Sequence, residues 1–275
     1  MHLHLDAYKF FLHGGLRPSL FNEGNNNSNM EIKAVKFRKD GFYTQPFVFG
    51  GEEGMDKFDH HIRYRGSLQN YLIDTGNEVI LVDTGITAGT PEETPDETSK
   101  IFTGKDICTY MEAFAALGYK PEQVTKILLT HRHADHSGEL RSFPNAKVYV
   151  NKDEMDAVEL QGLTNLVPVS YTDGPYYNFP ESQKIADGIY LIKAKGHTKG
   201  NSIIVVENDG LFYMLHGDIT YVDEALYEDK LSVSSMTCRP LARRRTASAS
   251  SCATIPRCIA APTPRRATRT LKQSA

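Results

Sequence analysis

The residues with the clearest chemical potential lie between His131 and His136, where three histidines and one aspartate occur within six positions. His131 and His133 are two positions apart, so on an extended segment both side chains point to the same side. Asp135 and His136 follow where the chain turns towards a helix that we expect Ser137 to cap. Imidazole nitrogens and carboxylate oxygens are ligands that zinc and similar divalent metals take in proteins. The spacing therefore predicts a metal site.

Strand and helix patterns predict the elements that must position this cluster. Strands are expected at residues 31–37, 71–74, 79–83, 126–130, 147–150, 188–192, 202–206 and 211–215, and helices at 105–117 and 152–160. The strand at 126–130 ends directly before the cluster. Strand-rich halves with interspersed helices are typical of two sheets packed face to face with helices outside, which is an α+β fold.

Four motifs, in this order along the chain, resemble the metallo-β-lactamase superfamily. The His-x-His-x-Asp-His pattern at residues 131–136 is similar to the family's signature. The other three are Leu-Val-Asp-Thr-Gly at 81–85, Gly-His-Thr at 196–198 and Gly-Asp at 217–218. The resemblance covers roughly residues 66–233. It implies an αββα sandwich, two mixed β-sheets flanked by helices, with the metals between the sheets.

The resemblance also implies a binuclear metal centre with six protein ligands. These are His131, His133 and His197 on the first metal, Asp135 and His136 on the second, and Asp218 between the two. Two divalent metals, with zinc expected, would hold a hydroxide at neutral pH because each lowers the pKa of its bound water. The implied reaction is hydrolysis, with Asp135 as a catalytic residue as well as a ligand, and with Asp83 as a structural partner of the site. The same ligands also suit iron, manganese or cobalt.

The residues after Asp218 resemble the N-acyl homoserine lactonase branch of the superfamily. Tyr221 follows three positions later, and an acidic pair at Glu228 and Asp229 comes next. The resemblance implies that Tyr221 is catalytic, its phenol donating a hydrogen bond to the substrate carbonyl or the developing oxyanion. A tyrosine that only packs on a loop is the alternative. A lactone or related ester is therefore the favoured substrate, and a thioester, as in glyoxalase II-like relatives, is the second choice.

The substrate pocket is expected to be lined by the loops at residues 43–65 and 163–177, which carry no readable specificity code. His60 and His61 are expected near the mouth of the site. His216 lies two residues before Asp218, and we expect it in a supporting or buried role rather than as a ligand.

Residues 234–275 have a composition unlike the rest of the chain. They contain eight Arg, one Lys and no acidic residue, a charge of +9, whereas the remainder holds 22 basic and 34 acidic residues, a charge of −12. The superfamily supplies one more ligand histidine near its C-terminus, yet no histidine follows His216 in this sequence. A reading-frame shift near residues 233–235 would explain both features, and a natural basic tail that binds nucleic acid or an acidic partner is the alternative. The absent ligand predicts weak occupancy of the second metal and leaves open a catalytically crippled metal-binding remnant.

We expect three segments along the chain. The first is an extension at 1–29 that is disordered and ends in an Asn-rich run. The second is a metallo-β-lactamase-like domain at 30–233, with Met30 a candidate start, and the third is an aberrant basic tail at 234–275 without a native fold.

No apolar run approaches the roughly 18 residues of a membrane helix, and the start lacks a signal-peptide pattern, so a cytoplasmic location is expected. Four cysteines without paired metal-ligand spacing argue against a disulfide framework. We expect a small-molecule substrate, neither a membrane nor a nucleic-acid partner, and leave a homodimer open.

Overall fold

The apolar runs of the sequence form strands in the computed structural model, which describes residues 30–51, 55–222 and 224–225. The strands are β1 (Glu31–Lys36), β2 (Arg38–Lys39), β3 (Gly41–Thr44), β4 (Arg63–Gly66), β5 (Gln69–Asp74), β6 (Val79–Val82), β7 (Ile101–Phe102), β8 (Lys105–Asp106), β9 (Val124–Leu128), β10 (Lys147–Asn151), β11 (Leu166–Val169), β12 (Ser182–Ala186), β13 (Ile189–Lys193), β14 (Ser202–Asn208) and β15 (Leu211–Leu215). The α-helices within these residues are α1 (Gln45–Phe49), α2 (Tyr110–Ala115) and α3 (Ala134–Ser137). Short 3₁₀ helices occupy Met55–Lys57, Pro121–Gln123, Leu140–Ser142, Lys152–Glu154, Val158–Leu160 and Gly217–Ile219.

The first large sheet is mixed and has the strand order β1-β5-β6-β9-β10-β11. β1, β5 and β6 pair in antiparallel fashion, whereas β6, β9, β10 and β11 are parallel neighbours. All four residues of β6, Val-Ile-Leu-Val, are buried because strands flank it on both sides and both faces are covered. Because β6 and β9 are parallel neighbours, their carboxyl ends lie side by side at one edge of the sandwich.

The second sheet is antiparallel throughout, in the order β12-β13-β14-β15. Side chains alternate between the faces of a strand, so Ile80 and Val82 point to the second sheet while Leu81 points the other way. Ile80 and Val82 pack in one core with Ile189 and Ile204 of the second sheet. The outer face of the first sheet packs against α2, which contributes the buried Tyr110 and Phe114, among others. Residue alternation thus produces the expected two-sheet sandwich, an α+β fold.

Two predicted helices are shorter in the structure than the apolar spacing indicates. The helix expected at 105–117 begins only at Tyr110, because Thr109 and Glu112 form a capping box that fixes its start there. The helix expected at 152–160 is replaced by two 3₁₀ helices, separated by Ala157 in an extended conformation. Met155 and Leu160 both pack on the core, which produces a helical spacing without a continuous helix.

Several sequence-based expectations fall on parts of the chain outside the described residues. These are the extension at 1–29, the basic tail at 234–275 and the acidic pair at Glu228 and Asp229, which stay predictions. Across the described residues, none of the helices has the length and apolar character needed to span a bilayer.

Candidate metal centre

The metal-binding motifs meet at one edge of the sandwich because the topology brings four strand ends there. β6 and β9 are parallel, so Asp83 and the segment beginning at His131 follow neighbouring carboxyl ends. β13 and β15 both run antiparallel to β14, so they are parallel to each other. His197 follows β13 and Asp218 follows β15, at the same edge of the second sheet.

Three histidines converge at this edge as the sequence resemblance implies. His131 Nε2 lies 3.1 Å from His133 Nδ1, and His197 Nε2 lies 2.8 Å from the same His133 nitrogen. Ligands of a tetrahedral zinc ion with bonds of about 2.0–2.1 Å lie roughly 3.3 Å apart. The three ring nitrogens therefore fit a single divalent ion.

Asp218 connects this trio to a second group of potential ligands. Its Oδ2 lies 3.6 Å from His197 Nε2, and its Oδ1 lies 3.1 Å from His136 Nε2. The ligand atoms of His131, His136 and Asp218 all lie within 4.8 Å of one another. Asp135 lies beside this group, with its Oδ2 3.7 Å from His136 Nε2. Five of the six predicted ligands thus fall into two groups, His131–His133–His197 and His131–His136–Asp218, and Asp135 lies beside the second group without being part of it.

The charge states around the two groups suit cation binding. Burial, reinforced by neighbouring imidazoles, lowers the pKa of His131 well below its usual value and that of His197 to about 4. Both rings are therefore neutral near pH 7, which is the form that binds metals. Burial would also lower the pKa of His136, but the carboxylates of Asp218, Asp135 and Asp83 outweigh it and raise that pKa well above its usual value. The second group therefore favours a positive charge.

Asp83 contacts the histidine-bearing loop at both of its ends, at Thr130 and at His136, in the structural position that the resemblance implies. The residue is buried in a left-handed backbone conformation, with φ of 61°. Its Oδ1 accepts a 2.7 Å hydrogen bond from the Thr130 backbone N–H, and its Oδ2 accepts one of the same length from the Thr130 hydroxyl. Oδ2 also lies 2.7 Å from His136 Nδ1. Because a carboxylate can only accept a hydrogen bond, His136 must donate to it from Nδ1. The other ring nitrogen, Nε2, then points to Asp218, whose Oδ1 lies 3.1 Å away.

The short helix α3 differs from expectation at its ends. We expected Ser137 to cap the start of a helix after the ligands, but α3 spans Ala134–Ser137 and contains Asp135 and His136. The Ser137 hydroxyl donates to the carbonyl oxygens of Arg132 and His133. Ser137 therefore closes this turn back onto the ligand segment.

A cavity of about 410 Å³ opens beside the second group of ligands. Its lining includes Asp135, His136, Asp218, Tyr221 and His216. The Tyr221 hydroxyl lies 3.1 Å from Asp218 Oδ2, to which it donates a hydrogen bond. Tyr221 therefore faces the ligands, as the lactonase resemblance implies.

Aromatic side chains from the small β3–β4 sheet and from α1 support Tyr221. Its ring centroid lies 4.8 Å from that of Tyr43 and 5.1 Å from that of Phe47. Burial, together with the nearby carboxylates of Asp218 and Asp135, raises the pKa of Tyr43. Tyr43 therefore brings a second, neutral phenol to the cavity wall, and nothing in its local sequence signals this role.

The predicted pocket loops contribute unequally to this cavity. Tyr43, Tyr64 and Arg65 from the loop at 43–65 line it, whereas no residue of 163–177 does. His60 and His61 are exposed and are not part of the lining. His216 lines the cavity, with Nδ1 2.9 Å from the Gly217 carbonyl oxygen, and lies outside both ligand groups. This position agrees with the supporting role expected for it.

Comparisons with known proteins place this geometry in a family. A model of the metallo-beta-lactamase superfamily matches residues 64–255. The N-acyl homoserine lactonase of Bacillus cereus is 26% identical over 185 residues, which cover 58% of this chain and 66% of that enzyme. The chain thus spans just under two thirds of this relative's length.

Solved structures agree in fold at lower identity. An N-acyl homoserine lactone hydrolase with the product N-hexanoyl-L-homoserine at its catalytic metal centre matches with a TM-score of 0.56 and 17% identity, over 78% of this chain and 87% of that one. AidC, a dizinc quorum-quenching lactonase, matches with a TM-score of 0.53 and 15% identity, over 84% of this chain and 81% of that one. The chain belongs to the metallo-β-lactamase superfamily.

Proposed function

We propose that this protein is a hydrolase that opens the lactone ring of an N-acyl homoserine lactone or a closely related ester, with two divalent metal ions as cofactors. The observation that carries this proposal is the position of Tyr221, whose hydroxyl reaches Asp218 from the cavity wall. The similarity to N-acyl homoserine lactonases supports the same substrate class.

Each predicted ligand has a defined task in this proposal. His131, His133 and His197 would hold the first ion, Asp135 and His136 the second, and Asp218 would contact both. When bound, the ions supply Lewis acidity and lower the pKa of water, so that hydrolysis proceeds at neutral pH. Zinc is the expected metal because imidazole and carboxylate ligands suit it.

The cavity residues bind and orient the substrate. A volume of about 410 Å³ is within the range of roughly 300–1,000 Å³ typical of small-molecule sites. Tyr221 can turn its hydroxyl from Asp218 to the substrate carbonyl, where a hydrogen-bond donor stabilises developing negative charge. The aromatic rings of Tyr43 and Phe47 restrict the position of the Tyr221 ring and exclude water from one side of it.

The test is a turnover assay with the purified full-length chain loaded with zinc. N-hexanoyl homoserine lactone and a glutathione thioester are supplied separately, and acid release is followed with and without a chelator. Chelator-sensitive opening of the lactone is the expected result. Hydrolysis of the thioester alone would move the assignment to the glyoxalase II type and contradict the lactone proposal.

A second candidate function is metal binding without turnover. The observation that favours it is that no histidine occurs between Gly217 and Ala275, whereas the resemblance implies a further histidine ligand for the second ion near the C-terminus. Zinc binding without hydrolysis of either substrate would favour this candidate. Sequencing the gene across codons 233–235 would test the frameshift hypothesis directly.

A further inference from the structure

Glu154 is a buried carboxylate that the proposed chemistry does not use. It lies at the end of the 3₁₀ helix that follows β10, and only 2% of its surface is exposed. Burying an ionised carboxylate is costly unless hydrogen-bond donors or a cation compensate for lost hydration. Its partners therefore indicate what the residue does.

The two oxygens of Glu154 accept hydrogen bonds from two separate loops. Oε1 accepts from the Gly200 backbone N–H at 2.6 Å, and Oε2 accepts from the Arg132 backbone N–H at 3.1 Å. The Arg132 guanidinium adds a contact, with Nε 3.6 Å from Oε2. Hydrogen bonds to an ionised acceptor are stronger than those between neutral groups. One side chain thus ties two backbone segments together.

Both segments carry histidines of the first ligand group. Arg132 stands between His131 and His133, on the loop after β9 of the first sheet, whereas Gly200 follows His197 by three residues, between β13 and β14 of the second sheet. The two loops meet where His197 Nε2 lies 2.8 Å from His133 Nδ1. The carboxylate of Glu154 therefore links a loop of the first sheet to a loop of the second, and each of these loops carries histidines of the converging trio.

Gly200 makes this close approach possible. A Cβ atom added there would lie 2.5 Å from Glu154 Cγ and 2.8 Å from Glu154 Oε1. Real Cβ atoms essentially never come so close, so with any larger residue at position 200 either the loop or the Glu154 side chain must shift, and the contact between them is disturbed. The sequence places the one residue without a side chain where the carboxylate contacts the backbone.

We propose that Glu154 is a positioning residue that sets the distance between His197 and the His131–His133 pair, and so determines the affinity of the first metal. This inference rests on the proposed metal centre. Residues that orient metal ligands from behind typically change metal affinity by about 10–100-fold when they are substituted.

The test compares Glu154→Gln with Glu159→Gln in the full-length chain. Glutamine has the shape of glutamate, but its amide group must face one of the two backbone N–H groups, both of which donate. Glu159 is a matched control because it contacts the other side of Arg132, with Oε1 3.4 Å from Nη1, and bonds to neither loop backbone. Metal-free protein of each variant is titrated with cobalt(II), and the visible absorption bands report both affinity and ligand geometry.

We expect Glu154→Gln to weaken cobalt binding by about 10–100-fold and to alter the visible bands, while Glu159→Gln behaves like the unsubstituted chain. Gly200→Ala should reproduce the defect by separating the same contact, which keeps the inference testable if Glu154→Gln does not fold. Unchanged cobalt affinity and bands in folded Glu154→Gln or Gly200→Ala would overturn the inference alone. Absence of cobalt binding by the unsubstituted chain would overturn the metal centre itself, and the inference with it.

Discussion

Replacing Asp83 by asparagine should weaken both the fold and the second metal group. Asparagine preserves the size of the side chain and tolerates the left-handed conformation, with φ of 61°, that Asp83 adopts. It has only one acceptor oxygen, however, whereas Asp83 accepts from the Thr130 N–H, the Thr130 hydroxyl and His136. The Thr130 hydroxyl can reverse and accept from the new amide group, but the backbone N–H cannot.

The expected losses of stability and of metal affinity depend on which hydrogen bond the asparagine cannot form. If the asparagine oxygen keeps the Thr130 N–H, its amide group faces His136 Nδ1, and that ring must carry its hydrogen on Nε2, the nitrogen directed at Asp218. One charge-assisted hydrogen bond is lost in a buried position, which costs about 1.5–3 kcal/mol of unfolding free energy. Metal affinity should fall by about 10–100-fold, because the asparagine amide group no longer accepts the hydrogen of His136 Nδ1 and so no longer presents Nε2 to the metal. Asp83→Ala removes the acceptor for all three donors, of which the Thr130 hydroxyl can turn to His131 Nδ1 at 3.0 Å. The other two stay unpaired and left-handed strain is added, so about 4 kcal/mol is expected.

Urea denaturation of the metal-free variants measures the unfolding free energy, and zinc titration by calorimetry measures the metal affinity. Asp187→Asn is the control, because the Asp187 side chain is 98% exposed and forms an ion pair with Lys184 at the surface; neither measurement should change. Unaltered unfolding free energy together with unaltered zinc affinity in Asp83→Asn would refute the supporting role of Asp83.

Three further predictions concern the cavity, the packing and the metal. Tyr221→Phe should slow lactone opening by about 10²-fold, the scale of a lost oxyanion donor, with zinc content unchanged; an unaffected rate assigns Tyr221 to packing alone. Gly138→Ala should cost about 1–3 kcal/mol in urea denaturation, because its Cβ would lie 2.3 Å from Thr87 N and 2.6 Å from Ile86 C, both backbone atoms; native stability would contradict this packing. Chelation should lower the unfolding free energy by about 2.7 kcal/mol relative to protein in free zinc at 100 times its Kd, and equal stability would indicate that no zinc is bound.

The convergence of the candidate ligands could be predicted from the sequence because each motif is short and follows a strand. His131 and His133 need only an extended segment to face the same way, and the parallel strands β6 and β9 bring Asp83 beside them. His197 and Asp218 were predicted through the resemblance to the superfamily, because local spacing does not connect them with residues 131–136. The structure places both after strands of the second sheet, at the same edge.

The roles of Glu154 and Tyr43 could not be predicted because their contacts are distant along the chain. Glu154 lies 22 residues from Arg132 and 46 from Gly200, and in the sequence it is one acidic residue in a stretch with helical spacing. Tyr43 comes from a small sheet well before the candidate ligands in the sequence, and only the folded chain packs its ring against that of Tyr221, at an interplanar angle of 38°. Thr130 stands directly before His131, which is a local signal that sequence reasoning did not use.

The metal centre is tested most directly by a crystal structure of the full-length chain grown with zinc, with anomalous scattering measured at the zinc edge. We predict a strong peak bonded to His131 Nε2, His133 Nδ1 and His197 Nε2 at about 2.0–2.1 Å, and a weaker peak between His136 and Asp218. No anomalous peak within reach of the three histidines, or zinc bound only elsewhere in the protein, would contradict the assignment.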